Sequence, residues 1–355
     1  MSSRAPSATD RPRACGGVTI DAAGSLVGSL LASGGLVIVI YRGLLPFSGT
    51  VGFLVCWWVA FVGGYAFVSR LSNPTPIVLD RVVGVVVASG ALLVGAVIVT
   101  MLWHVGAHGY HALARANFYT QDMAGVRPTD PLRRGGIGHA IVGTLLQVGI
   151  AVAVSLPLGI GTAVYLTEVG GPMARVVRTV VEAMSALPDI LAGLFVYTFL
   201  IIGLGFDRTG LTAALALVVT AIPIIARASE VVLRVVPGNL REASLALGAS
   251  QWQTVWRVVL PTARAGLATA LILGIARIAG ETAPLLIVSG ASTFLNENPF
   301  SEPMNSLPLF IISSVRSGQP IYIERGYGAA ALLLAMVLGL FVLARLVARD
   351  KRGRR

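Results

Sequence analysis

Eight apolar runs, each close to the length needed to cross a lipid bilayer, leave this 355-residue chain little choice of architecture. Crossing ~30 Å of hydrocarbon takes about 20 residues of α-helix at ~1.5 Å per residue. The runs fall at about 18–40, 50–69, 81–103, 139–166, 176–203, 209–226, 265–290 and 326–347. The chain is 55% hydrophobic and 12% charged, more apolar surface than a single aqueous core can hide. Lipid must be the solvent for most of it, and in lipid the helix is the form that satisfies its own backbone. The expectation is an all-α polytopic membrane protein. Its first run is the weakest of the eight, diluted by Asp21 and several glycines.

A net charge of +11 raises the question of nucleic acid. The basic residues, however, sit in short stretches between apolar runs, without a continuous basic face or stacking aromatics, so membrane topology explains them better. With both termini in the cytoplasm, the inside collects Arg4, Arg11, Arg13, Arg70, Arg81, Arg175, Arg178, Arg227, Arg234, Arg241, Arg257, Arg264 and the C-terminal basic cluster from Arg345 to Arg355. The outside receives Arg42, Arg115, Arg127, Arg133, Arg134, Arg208, Arg316 and Arg325, and Arg277 is left within the membrane. The Pro- and Ser-rich N-terminus, 1–17, reads as a disordered tail. Cys15 and Cys56 have no metal-ligand spacing and read as isolated thiols.

Two long loops fall outside, at 104–138 and 291–325. Loops of this length tend to be functional or flexible, so an outer-face partner and a solvated connector are both open readings. His104, His108 and His111 have helical spacing but lack an accompanying Cys or carboxylate set, which argues against a metal site.

Between the sixth and seventh runs lies REASLALGASQWQTVWRVVLP, Arg241 to Pro261. Glu242 and Ala243 are followed by Gly248, six residues after the Glu, and then by Leu260 and Pro261. This pattern resembles the EAA loop of bacterial ATP-binding-cassette importer permeases, with Ser244 in place of the usual Ala and Val258 in place of the usual Ile. The resemblance implies a coupling helix that docks on a separate ATPase subunit, with Arg241, Glu242, Ala243, Gly248, Leu260 and Pro261 as the coupling residues. The arginine count places the same loop in the cytoplasm.

The stretch ILGIARIAGETAPLLIV, Ile272 to Val288, puts Arg277 and Glu281 in an apolar helix four residues apart, where they share a face and can pair. Isolated charges at mid-bilayer cost about 2.5–3.5 kcal/mol each, so such a pair is expected to face a cavity or another helix. Gly280 and Pro284 interrupt the helix at this point. The segment ARIAGETAPLL is similar to the corresponding helix of phosphate-import permeases of the PstA type. FYTQDMAGVRPTDPLRRGGIGHAIVGTLL at 118–146 and LPLGIGTAVYLTE at 156–168 carry the same resemblance. It covers about residues 80–347 and implies an inorganic phosphate path through Arg277, Glu281 and Thr282. Arg offers phosphate a planar, two-pronged fork of donors. A carboxylate can meet the proton of hydrogen phosphate, and Thr282 can either add a hydroxyl or bond its own helix carbonyl. Glu182 and Asp189, in VVEAMSALPDILAGLF, read as an interfacial segment before the span or as a cytoplasmic gate, with Pro188 breaking the helix between them.

Neither G-x-x-x-x-G-K-[ST] nor G-x-S-x-G nor H-E-x-x-H occurs, so the chain is expected to be no enzyme, with ATP and Mg²⁺ on a partner and no cofactor of its own. The resemblance implies a type I importer permease with a six-helix core. Its boundaries are two extra N-terminal helices at 18–69, a transmembrane domain at 80–347 (core 139–347, coupling loop 234–261) and a basic tail at 348–355. The implied partners are a second permease, two ATPase subunits, an extracytoplasmic phosphate-binding protein, inorganic phosphate and the lipid bilayer of a bacterial cell membrane, and not nucleic acid. Two alternatives remain: a same-fold permease for another oxyanion or small solute, and a secondary transporter or channel using Arg277 and Glu281.

Overall fold

The computed structural model describes residues 20–44 and 49–348, and all regular structure among them is helical. The expected tails, 1–17 and 348–355, lie outside the described residues apart from Ala348. Among the described residues six helices are long and apolar enough to span a membrane, and a bent pair passes the same test only when its two helices are counted as one span. The first predicted run is helical over Ile20–Val39 (α1), but its apolar described part, Ala23–Val39, is short for a span. The chain forms two compact units, Met1–Met101 and Leu102–Arg355.

In the first unit α1 packs on α2 (Thr50–Ser72). The Trp57 indole N–H donates to the Leu30 carbonyl at 3.2 Å, and Gly34 leaves room for that ring. Asn73 closes α2 by donating to the Ser69 carbonyl at 3.1 Å. The third helix, α3, runs from Thr75 to Leu113. At 39 residues it is ~58 Å long, well beyond the hydrocarbon core. No Pro breaks 104–113, so the helix continues into what the apolar pattern alone marks as an outer loop.

The second unit is built around α8 (Gly210–Arg234). Its Ala213, Ala214, Ala216, Leu217, Ala221 and Ile225 are completely buried. Small residues let helix backbones approach in the absence of a hydrophobic drive between helices in lipid. Ile225 is wedged between Gly159 of α5 (Gly138–Val164) and Gly274 of α11 (Leu260–Ala279), where an added Cβ would lie 2.7 and 3.0 Å from its side chain. The final helix, α14 (Pro320–Ala348), packs on α11 and on α13 (Leu307–Arg316).

Both loops that the sequence places outside carry structure of their own. Leu113 is followed by α4 (Ala116–Thr120), and Asn117 donates to the carbonyls of Leu132 and Gly135 at 3.0 and 2.8 Å. Arg325, wholly buried on α14, gathers the carbonyls of Asp130, Pro131 and Arg134 with one guanidinium nitrogen. Residues 289–306 are bonded to the rest of the unit: Met123 donates to Thr293 O at 2.8 Å and Leu211, in α8, to Pro299 O at 2.7 Å. The Thr144 hydroxyl then accepts the Leu307 N–H at 2.8 Å, at the start of α13. The Ser306-Leu307-Pro308 start was the sequence signal for that helix, masked by its Asn- and Pro-rich approach.

Candidate functional site

The predicted fifth span, 176–203, is not one helix. An amphipathic α6 (Pro172–Ala186) meets α7 (Asp189–Val196) at a bend of 104°. Pro188 has no N–H to continue the helix and keeps Leu187 extended, at ψ 133. Asp189 thereby becomes the first residue of α7, where the positive end of the helix dipole favours a carboxylate.

The predicted seventh span breaks as well. Its helix α11 stops at Ala279, and the Gly280 and Glu281 N–H groups fold back on the carbonyls of Arg277 and Ile278 at 3.3 and 3.2 Å. After a short turn, Leu285–Val288 form α12. Glu281 has therefore left the helix on which the four-residue spacing was counted, and the expected Arg277–Glu281 pair does not form. Arg277 instead reaches Asp189 of α7, with Nη2 at 3.4 Å from Oδ2. The two interrupted helices touch here: a Cβ on Gly193, one turn after Asp189, would lie 2.6 Å from Pro284 Cα. Only glycine allows that approach. Thr282 donates to the Gly280 carbonyl at 3.4 Å, a turn contact rather than a bond to its helix.

The Arg277 side chain is 56% exposed and Asp189 33%, so the pair lies on an open face of the chain. A charge pair within a span is costly against lipid, so this face calls for water or another protein beside it.

The segment expected to couple to an ATPase is a helix–turn–helix. Its first piece is α9 (Gly238–Ala246), which has no buried residue. The helix ends in a Schellman turn: Gly248 N donates to Leu245 O at 2.9 Å and Ala249 N to Ser244 O at 3.2 Å, with Gly248 at φ +84. Gly248 thus supplies a turn between two helical pieces. Ser250 and Gln253 then cap α10 (Gln251–Thr254) reciprocally, at 3.3 and 3.0 Å. That S-x-x-Q capping box was present in the sequence as an additional helix-start signal. Through a π-helical turn, Val255–Val259, the chain enters α11 at Leu260 and Pro261.

Within this segment Glu242 and Ala243 are exposed, and Leu247 is 89% exposed. Arg241 is different: its guanidinium turns inward and forms a bidentate pair with Glu168. Glu168 was visible in the sequence only as the end of a family-like stretch, because nothing local ties it to a residue 73 positions away. Along the C-terminal part of α3, the rings of His104 and His108 lie with centroids 3.9 Å apart and planes tilted by 35°, and His111 pairs with Glu324. Among the described residues no three His, Cys, Asp or Glu side chains are grouped to hold a metal ion.

The family model for the binding-protein-dependent transport system inner membrane component matches residues 155–353. The phosphate transport system permease protein PstA 1 of Mycobacterium tuberculosis (strain CDC 1551 / Oshkosh) is 41% identical over 251 residues, covering 70% of this chain and 82% of that protein. PstA of Mycobacterium leprae (strain TN) is 39% identical over 244 residues, covering 68% and 80%. A solved bacterial alginate ABC transporter, in complex with an alginate pentasaccharide-bound periplasmic protein, aligns at 16% identity with a TM-score of 0.49, covering 74% of this chain and 97% of that one. With over half its length matched by the family model, this chain belongs to the binding-protein-dependent transport permeases and is a multi-pass inner-membrane transport subunit.

Proposed function

We propose that this chain is a permease subunit of an ATP-driven importer of inorganic phosphate. It forms the translocation path with a second permease, and two ATPase subunits and an extracytoplasmic phosphate-binding protein complete the machine. Both termini lie in the cytoplasm, and the helices at 18–69 extend a permease domain that begins near residue 80. The 41% identity to a phosphate transport system permease supports the cargo.

The observation that carries the path is the Arg277–Asp189 pair, held on an open face where two interrupted helices meet. A second permease covering that face would enclose a polar lane within the bilayer. Arg277 would present its fork of donors to the anion. Asp189 holds the fork in place between passages, and Glu281 and Thr282, on the turn after α11, border the same lane. The exposed surface of 238–249, with Glu242, Ala243 and the Gly248 turn, would meet the ATPase, while Leu260 and Pro261 begin the helix that carries Arg277.

Labelled-phosphate uptake in a deletion strain complemented with this gene tests the reading, with sulfate, molybdate and arsenate as competitors. Uptake competed by arsenate but not by sulfate or molybdate is expected. Uptake of sulfate or molybdate in preference to phosphate would reassign the cargo to another oxyanion.

A further inference from the structure

Arg241 opens the coupling segment, yet its donors are consumed inside the chain. Nε reaches Glu168 Oε2 at 3.0 Å and Nη2 reaches Oε1 at 2.8 Å. The same guanidinium donates to the carbonyl of Leu233, in the last turn of α8, at 3.0 Å, and to that of Val236 at 2.6 Å. Leu233 O, in the last turn of α8, also accepts the Val236 N–H at 3.2 Å, and Val236 lies just past the helix end, so Arg241 adds donors to the C-terminus of α8 as well as pairing with Glu168. Glu168 lies on the π-helical turn Tyr165–Val169 that ends α5. Its backbone carbonyl accepts from the side chain of Gln251, the first residue of α10. One arginine and one glutamate thus tie together the ends of α5 and α8 and both pieces of the coupling segment.

The pair is largely out of water: the Glu168 side chain is 7% exposed and Arg241 23%. Two-pronged geometry with further carbonyl acceptors is what allows charges to be held in such a place. Apolar packing does not do the same work for α9. The nearby core of Ala163, Leu233, Val236, Val259 and Ala263 draws on α5, α8, α11 and the turn before it, and α9 contributes no buried residue.

We propose that Arg241 and Glu168 are positioning residues that form the joint between the ATPase-docking helix and the transmembrane helices. Movement imposed on α9 is carried through this joint to α5 and α8. Neither side chain touches the ATPase or the cargo. The inference rests on the reading of 234–261 as the docking segment.

The test uses the assembled complex, with its second permease, ATPase and binding protein, in proteoliposomes. Glu168→Gln keeps the shape and removes the charge; Arg241→Lys keeps the charge and removes the planar fork. Both variants are expected to co-purify with the ATPase at the wild-type ratio. Phosphate imported per ATP hydrolysed should fall by about tenfold in Glu168→Gln, within the usual range of site-to-site coupling, and by less in Arg241→Lys. Wild-type stoichiometry in Glu168→Gln would overturn the joint, and so would loss of ATPase co-purification, which would place the pair at the docking surface.

Hydrogen exchange of the α9 amides separates this idea from the cargo assignment. If the wild-type complex moves no phosphate, the proposed function fails, but faster exchange in 238–246 of Glu168→Gln still supports the joint. Unchanged exchange there refutes it.

Discussion

Gly248 offers the sharpest test of the proposed ATPase-docking role of 238–249, because its conformational cost can be separated from its contacts. The residue sits at φ +84, the left-handed end of a Schellman turn that closes α9. A non-glycine residue in that region costs about 1–2 kcal/mol. A Cβ built at Gly248 meets nothing within 4 Å, so no clash inside the chain adds to this figure. If the ATPase binds the folded turn, that cost reduces the share of chains ready to bind. The Gly248→Ala variant should then bind the ATPase about 5- to 30-fold more weakly. Asn enters the left-handed region more readily, so Gly248→Asn should lie between glycine and alanine. Gly248→Leu adds bulk on an exposed surface and should bind more weakly than alanine, with uptake falling in parallel while membrane insertion stays normal. Titrating purified ATPase onto the permease complex in nanodiscs, with interferometry as the readout, gives the three affinities. Alanine and leucine variants binding as tightly as the wild type would refute the docking role of this turn. An asparagine variant as weak as alanine would refute the conformational account.

Three other outcomes are expected. Arg277→Gln should assemble normally and lose phosphate uptake, with Asp189→Asn losing less; wild-type uptake per assembled complex in the Arg277→Leu/Asp189→Leu double variant would reduce the pair to packing. Such an exposed pair contributes only about 0–1 kcal/mol to stability, so thermal denaturation of the double variant should barely shift. Gly143→Ala would place a methyl 1.9 Å from the Asn305 carbonyl oxygen, and should destabilise the chain by at least the ~1–3 kcal/mol of an overpacked core, read as a lower melting temperature in detergent. In a background free of Cys15 and Cys56, cysteines at Thr129 and Glu297 should react with an impermeant external reagent, whereas cysteines at Ser72 and Asn239 should not; external labelling at position 239 would end the assignment of that segment to the cytoplasm.

The sequence by itself determined the membrane-spanning class, since apolar runs near 20 residues leave helices as the economical way to satisfy a backbone in lipid. It also singled out the segment proposed to meet the ATPase, because Glu242, Gly248 and Leu260-Pro261 are read at fixed spacings along one piece of chain. The breaks at Pro188 and Gly280 were visible as residues, but the 104° bend was not, since local chemistry says where a helix can stop and not which way the chain leaves. Helical spacing suggested an Arg277–Glu281 pair, and that inference failed because it assumed a helix continuing past Gly280. The partner that Arg277 found, Asp189, is 88 positions away, and Glu168 stands 73 from Arg241. Only tertiary packing decided those pairs. Side chains that distant along the chain are brought within reach of one another by the close, glycine-permitted contact of helix backbones, and that contact is a property of surfaces meeting rather than of any local spacing.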